Sequence, residues 1–161
     1  MRHTISVLVS NEFGVLARIA GLFSGRGFNI ESLCVAETTE PMVSRMTIVT
    51  TGDDRIVEQI TKQLNKLVSV IKVNDLTGEE HFERELALIK VAAAPENRAE
   101  ILSTVDIFRA KVVDVSPKSY TIEMTGDEEK VKAMIELLRP FGIKEIARTG
   151  RIAMARSPKA K

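Results

Sequence analysis

The chain has 161 residues, 44% of them apolar and 28% charged, a globular composition that excludes a disordered or collagen-like polypeptide. Lys and Arg number 23 against 22 Asp and Glu, and a net charge of +1 carries no general footprint for nucleic acid. The single cysteine, Cys34, excludes an internal disulfide, and no stretch approaches the ~18 apolar residues of a membrane span. The opening residues 1–5 lack the apolar run of a signal peptide, so a cytoplasmic, reducing compartment is expected and no membrane contact.

In chain order, residues 4–10 alternate and are β-rich, predicting a strand. Asn11-Glu12-Phe13-Gly14 is a turn, and Val15, Leu16, Ile19, Leu22 and Phe23 recur at helical spacing over 14–25. Gly25-Arg26-Gly27 ends that helix. Strands follow over 29–37 and 43–50. Thr51-Gly52-Asp53-Asp54 then offers an N-cap to a helix carrying Ile56, Val57, Ile60, Leu64 and Leu67. Residues 69–76 form the fourth strand, giving the order βαββαβ.

The order then repeats. Residues 84–93 are a strand, and Pro95 is expected in the first turn of a helix bearing Ile101, Leu102, Val105 and Phe108. Residues 111–116 and 119–125 are strands. Thr125-Gly126-Asp127-Glu128 matches Thr51-Gly52-Asp53-Asp54 in type and place, before a helix stripe of Val131, Met134, Ile135 and Leu138. Residues 142–148 close the pattern, and 77–81 read as a linker. The expected fold is therefore α+β, two ferredoxin-like βαββαβ domains over 1–77 and 78–161. Helices cover one face of each sheet, so the open face and edges call for a partner, and a homodimer is expected.

Catalysis finds no constellation. His3 and His81 are far apart, lack metal-ligand spacing, and read as surface or strand-edge residues. Cys34 lies inside a strand and reads as a buried structural thiol. No metal site and no catalytic residue is expected.

The first turn offers more. A helix N-terminus leaves about four amides unpaired and carries roughly half a positive charge, which suits a small carboxylate. Gly14 permits close approach, Asn11 and Asn29 supply amide oxygens for an ammonium group, and Leu16, Ile30 and Val35 supply apolar lining. That combination fits a free aliphatic α-amino acid. The plainer alternative is that Asn11 caps the helix and Gly14 closes the turn.

The sequence also resembles a family. The βαββαβ unit with residues 6–19 (SVLVSNEFGVLARI), 21–33 (GLFSGRGFNIESL) and 44–48 (SRMTI) is similar to the ACT domain of acetolactate synthase small subunits. Residues 63–68 (QLNKLV) and 84–91 (RELALIKV) extend the likeness into the second half. The resemblance implies an N-terminal ACT domain, a C-terminal ACT-like domain, and a non-catalytic regulatory subunit. Its partner would be the catalytic large subunit, holding thiamine diphosphate, Mg and FAD, with no cofactor in this chain. That partner makes acetolactate on the route to valine, leucine and isoleucine. The small subunit would activate it and confer feedback inhibition by valine or another branched-chain amino acid. The effector would sit between two ACT domains of a dimer, at Asn11, Gly14 and Asn29, with backbone groups of Val15, Leu16 and Ile30. Phe13 stands where many members carry a smaller residue. In the second half Ala94-Pro95-Glu96-Asn97 replaces the turn, so no effector site is expected there.

A rival reading is single-stranded RNA on the open sheet face, helped by the basic segment 148–161. Aromatics at 4% argue against it, and a solvated, frayed tail is the plainer account of that segment.

Overall fold

The computed structural model describes residues 1–159. The first half runs β1 (Arg2–Ser10), α1 (Val15–Gly25), β2 (Ile30–Glu37), β3 (Val43–Thr51), α2 (Asp54–Asn65) and β4 (Val70–Asp75). The second runs β5 (His81–Ala92), α3 (Arg98–Ile107), β6 (Lys111–Val115), β7 (Ser119–Gly126), α4 (Glu128–Leu138) and β8 (Ile143–Arg148), followed by β9 (Ile152–Ala155). The fold is α+β with two ferredoxin-like units. The sheets have the same order, β2-β3-β1-β4 and β6-β7-β5-β8. Among the described residues, 1–82 with 151–159 form one compact unit, and 83–150 form the other.

Each unit buries one stripe of its helices on one face of its sheet. In the first, Ile5, Val7 and Val9 of β1 and Met46 and Ile48 of β3 meet Ile19 and Phe23 of α1 and Ile60 and Leu64 of α2. In the second, Ile89, Val91, Ile122 and Met124 meet Ile101, Val131, Met134 and Leu138. Each large aliphatic side chain so buried contributes roughly 1.5–3 kcal/mol of transfer free energy. The duplication extends to the helix starts. Asp53 accepts the Ile56 amide at 2.9 Å, and Asp127 accepts the Lys130 amide at 2.9 Å. A Cβ on Gly52 would lie 2.8 Å from Ile56 Cγ2 and one on Gly126 2.6 Å from Lys130 Cδ, so a larger residue at either place would push the following side chain aside.

Two expectations change. α3 begins at Arg98, not at Pro95, because the Asn97 amide first closes a turn onto the Ala94 carbonyl. Residues 148–156 are not a frayed tail, while residues 157–159 are exposed and carry no secondary structure. Arg148 ends β8, and Ile152–Ala155 form β9 with Ala153 buried. The Arg151 amide donates to Ser32 Oγ, the Arg156 amide donates to the Glu80 carbonyl, and the Arg156 guanidinium stacks on Phe82. Residues 152–155 are uniformly apolar, so no alternation announces the strand, and the basic flanks mask it further. Ala160 and Lys161, the last part of the basic segment, lie outside the described residues.

This placement bears on the RNA reading. The helix-free face of the first sheet carries Thr4, Ser6, Thr47 and Val49, all buried. No Phe, Tyr or Trp lies on β1 to β4, and His3 is buried on the helix-facing side, so the face lacks the stacking platform that RNA recognition uses.

Candidate functional site

The turn after β1 is held at one end of the first sheet. The Asn11 amide donates to the Met42 carbonyl at 2.7 Å, and the Ser10 amide to the Ser69 carbonyl at 2.8 Å. A side-chain relay fixes it from beneath: Arg18 Nη1 donates to Ser69 Oγ at 3.1 Å, and Ser69 Oγ donates to Glu12 Oε2 at 3.3 Å. Ser69 is buried and Glu12 is not. Sequence reasoning missed Ser69, Arg18 and Met42, because their meeting depends on the pairing of β1 with β3 and β4. No local signal announces it.

The N-cap of α1 is Gly14, at φ 81° and ψ 3°, and no side chain caps the helix. Asn11 is therefore not the cap. Among the described residues, the Leu16 and Ala17 amides have no acceptor within the chain. Asn11 is exposed, Leu16 is half-exposed, and Val15 points its side chain into the core, so only its backbone faces the turn. Phe13 stands fully in solvent.

Asn29 and Ile30 lie elsewhere. Thr50 Oγ1 donates to the Asn29 carbonyl at 2.7 Å, and Ile30 pairs with Thr50. Ser10 pairs with Val43 at the other end of the same strand. Seven residues of β3 separate those partners, roughly 23 Å at ~3.3 Å per residue. Within one chain, then, Asn11, Gly14, Val15 and Leu16 gather at one end of the sheet and Asn29 and Ile30 at the opposite end.

The remaining candidates also moved. His3 is not a surface residue: it is buried, because position 3 shares the helix-facing side of β1 with Ile5, Val7 and Val9. Its Nδ1 lies 3.5 Å from Asp75 Oδ2, and its Nε2 lies 4.0 Å from Asp54 Oδ1. Cys34 is only half-buried, since β2 is an edge strand. Among the described residues no group of three His, Cys, Asp or Glu side chains is placed to hold a metal ion.

Gly14 can be tested apart from any ligand. A Cβ there meets nothing within 4 Å, so the constraint is the left-handed backbone and not space. Gly14→Ala is expected to destabilise the chain by about 1–2 kcal/mol, and Gly14→Asn by less, since Asn tolerates that region. Urea unfolding of both variants measures this. Equal stability of Gly14→Ala and the parent would refute it.

The chain's relatives agree with this architecture. A model described as an AHAS small subunit-like ACT domain matches residues 5–72, and one described as the small subunit of acetolactate synthase matches 84–157. A probable acetolactate synthase small subunit of Archaeoglobus fulgidus is 60% identical over 159 residues, covering 99% of both chains. The acetolactate synthase small subunit of Aquifex aeolicus is 61% identical over 157 residues, covering 96% of this chain and 81% of its own. The crystal structure of the acetolactate synthase small subunit from Thermotoga maritima superposes with a TM-score of 0.91 at 47% identity, covering 98% and 99% of the two chains. No helix among the described residues is long and apolar enough to cross a membrane. With two matching family models and relatives aligned over nearly its whole length, the chain belongs to the family of acetolactate synthase small (regulatory) subunits.

Proposed function

We propose that this chain activates a thiamine-diphosphate-dependent acetolactate synthase large subunit and makes it sensitive to valine. Two copies of the chain form the sensor. The effector's carboxylate docks on the free amides at the start of α1, beside Gly14, Val15 and Leu16. Its ammonium group is held by the Asn11 and Asn29 side chains, with Ile30 against its aliphatic chain. Thiamine diphosphate, Mg and FAD belong to the catalytic partner.

The observation that carries this reading is the separation of the two half-sites. Asn11 and Asn29 sit at opposite ends of one sheet, roughly 23 Å apart at ~3.3 Å per residue of β3, too far to grip one amino acid. β2 is an edge strand with Val35, Ala36 and Glu37 exposed. Antiparallel pairing of two β2 edges would satisfy both and run the second sheet in reverse. Asn29 of the partner subunit would then reach the sheet end that carries the Asn11 turn, because Glu37 pairs with Ser44 at that end. The mechanism is linkage: valine favours one state of the pair, and the shift changes activation of the attached enzyme. A typical coupling of about 1–3 kcal/mol alters the linked affinity ~5–150-fold.

The test is calorimetric titration of the full chain with valine, leucine, isoleucine and lysine. Saturable heat from at least one of the aliphatic three, and none from lysine, is expected. Absence of heat from all four, with and without the large subunit, would sink the sensor reading.

A further inference from the structure

The helix-free face of the first sheet holds a positively charged recess. It is a cavity of about 190 Å³, walled by side chains of β1, β3 and β4 and by Met154 and Ala155 of β9. Its charge follows from register. Leu8 pairs with Arg45 on β3 and with Lys72 on β4, so both cations stand in one row on either side of it. Directly paired residues share a face, and strands lie ~4.8 Å apart, so the two Cα atoms are about 10 Å from each other. In the next row Ser6 pairs with Asn74. Arg45 Nη1 donates to Ser6 Oγ at 2.9 Å. No carboxylate lines the recess, and among the described residues neither Arg45 nor Lys72 is in an ion pair.

We propose that this recess binds a small oxyanion, a phosphate or a short-chain carboxylate, held by Arg45 and Lys72. Two like charges in one cross-strand row repel, and an anion between them removes the repulsion. The guanidinium grips two oxygens as a planar fork and still reaches Ser6, and the ammonium adds a mobile point charge. The Asn74 amide supplies a further donor. Leu8 and Met154 leave room for a few carbons only, since 190 Å³ falls below the ~300–1,000 Å³ of pockets for larger ligands. The site shares no residue with the Asn11 turn or with Asn29, and does not rest on the amino-acid reading. Because Met154 comes from β9, an anion bound here also fastens the C-terminal segment to the sheet.

The full chain is titrated with inorganic phosphate in one arm and propionate in the other, at constant ionic strength in chloride. Saturable binding of either probe is expected, and the arm that binds identifies the source. Arg45→Gln and Lys72→Gln should each weaken it by about tenfold or more, the effect of one lost charge-assisted contact. Among the described residues the Lys72 side chain makes no hydrogen bond or ion pair, and its backbone pairing with Leu8 does not depend on side-chain identity, so its variant reports on binding alone. Bound anion should also slow tryptic cleavage after Arg151 and Arg156 in the parent and not in the variants. No saturable binding of either probe, or unchanged affinity in both variants, would overturn the proposal.

Discussion

Asn11→Ala and Asn29→His are each expected to raise the dissociation constant for valine by roughly 10- to 150-fold, the effect of losing a hydrogen bond to a charged group worth about 1.5–3 kcal/mol. Neither change should unfold the chain. Both side chains are exposed, and the structural bonds at these positions use the backbone: the Asn11 amide to Met42 and the Asn29 carbonyl from Thr50. The reconstituted enzyme should therefore stay active and become insensitive to valine. Calorimetry on the isolated chain and inhibition curves on the complex check the two halves of this statement. Variants that keep both parental valine affinity and parental inhibition would remove these asparagines from the site.

The largest effect on stability is expected from Arg148→Ala. Glu85 is almost wholly buried on β5, and Arg148 at the end of β8 grips it with both Nε and Nη2, the latter at 3.0 Å. The Glu85 hydrogen bond, opposed by burial, holds the guanidinium pKa above its ordinary value. A raised pKa in the folded state means the contribution is fully present below the unfolded pKa, so it persists at every neutral pH. Removing the arginine leaves a buried carboxylate without its counter-charge, which typically costs about 3–5 kcal/mol. The half-exposed position of Arg148 places the expected loss near the lower end. Glu85→Leu combined with Arg148→Ala should recover much of it, because no charge is then stranded. Chemical denaturation of the single and double variants decides the matter. A single variant within ~0.5 kcal/mol of the parent, the range of ordinary surface changes, would show that water reaches Glu85.

The two βαββαβ units were legible because their signals are local. Ile19 and Phe23 mark a helix stripe, Tyr120, Ile122 and Met124 mark an alternating strand, and Asp53 and Asp127 mark equivalent caps. The misreadings occurred where pairing partners decide. His3 looked superficial until β1 proved to be a central strand, and Cys34 looked buried until β2 proved to be an edge. Residues 152–155 looked solvated because their basic flanks hid a four-residue strand. The candidate effector residues were identifiable one at a time, from helix-terminus chemistry at Gly14 and amide chemistry at Asn11 and Asn29. Their separation was not, since it follows from Ser10 meeting Val43 and Ile30 meeting Thr50 across β3.

A mixing experiment tests the shared sensor most directly. Asn11→Ala and Asn29→His chains are co-expressed under separate affinity tags and titrated with valine beside each variant alone. In a mixed pair one site carries both substitutions and the other carries neither. About half of randomly assorted pairs are mixed, so roughly a quarter of the parental binding capacity should return at parental affinity. A mixture that binds valine no better than the separate variants would show that both asparagines act from the same chain, and would contradict the two-copy site.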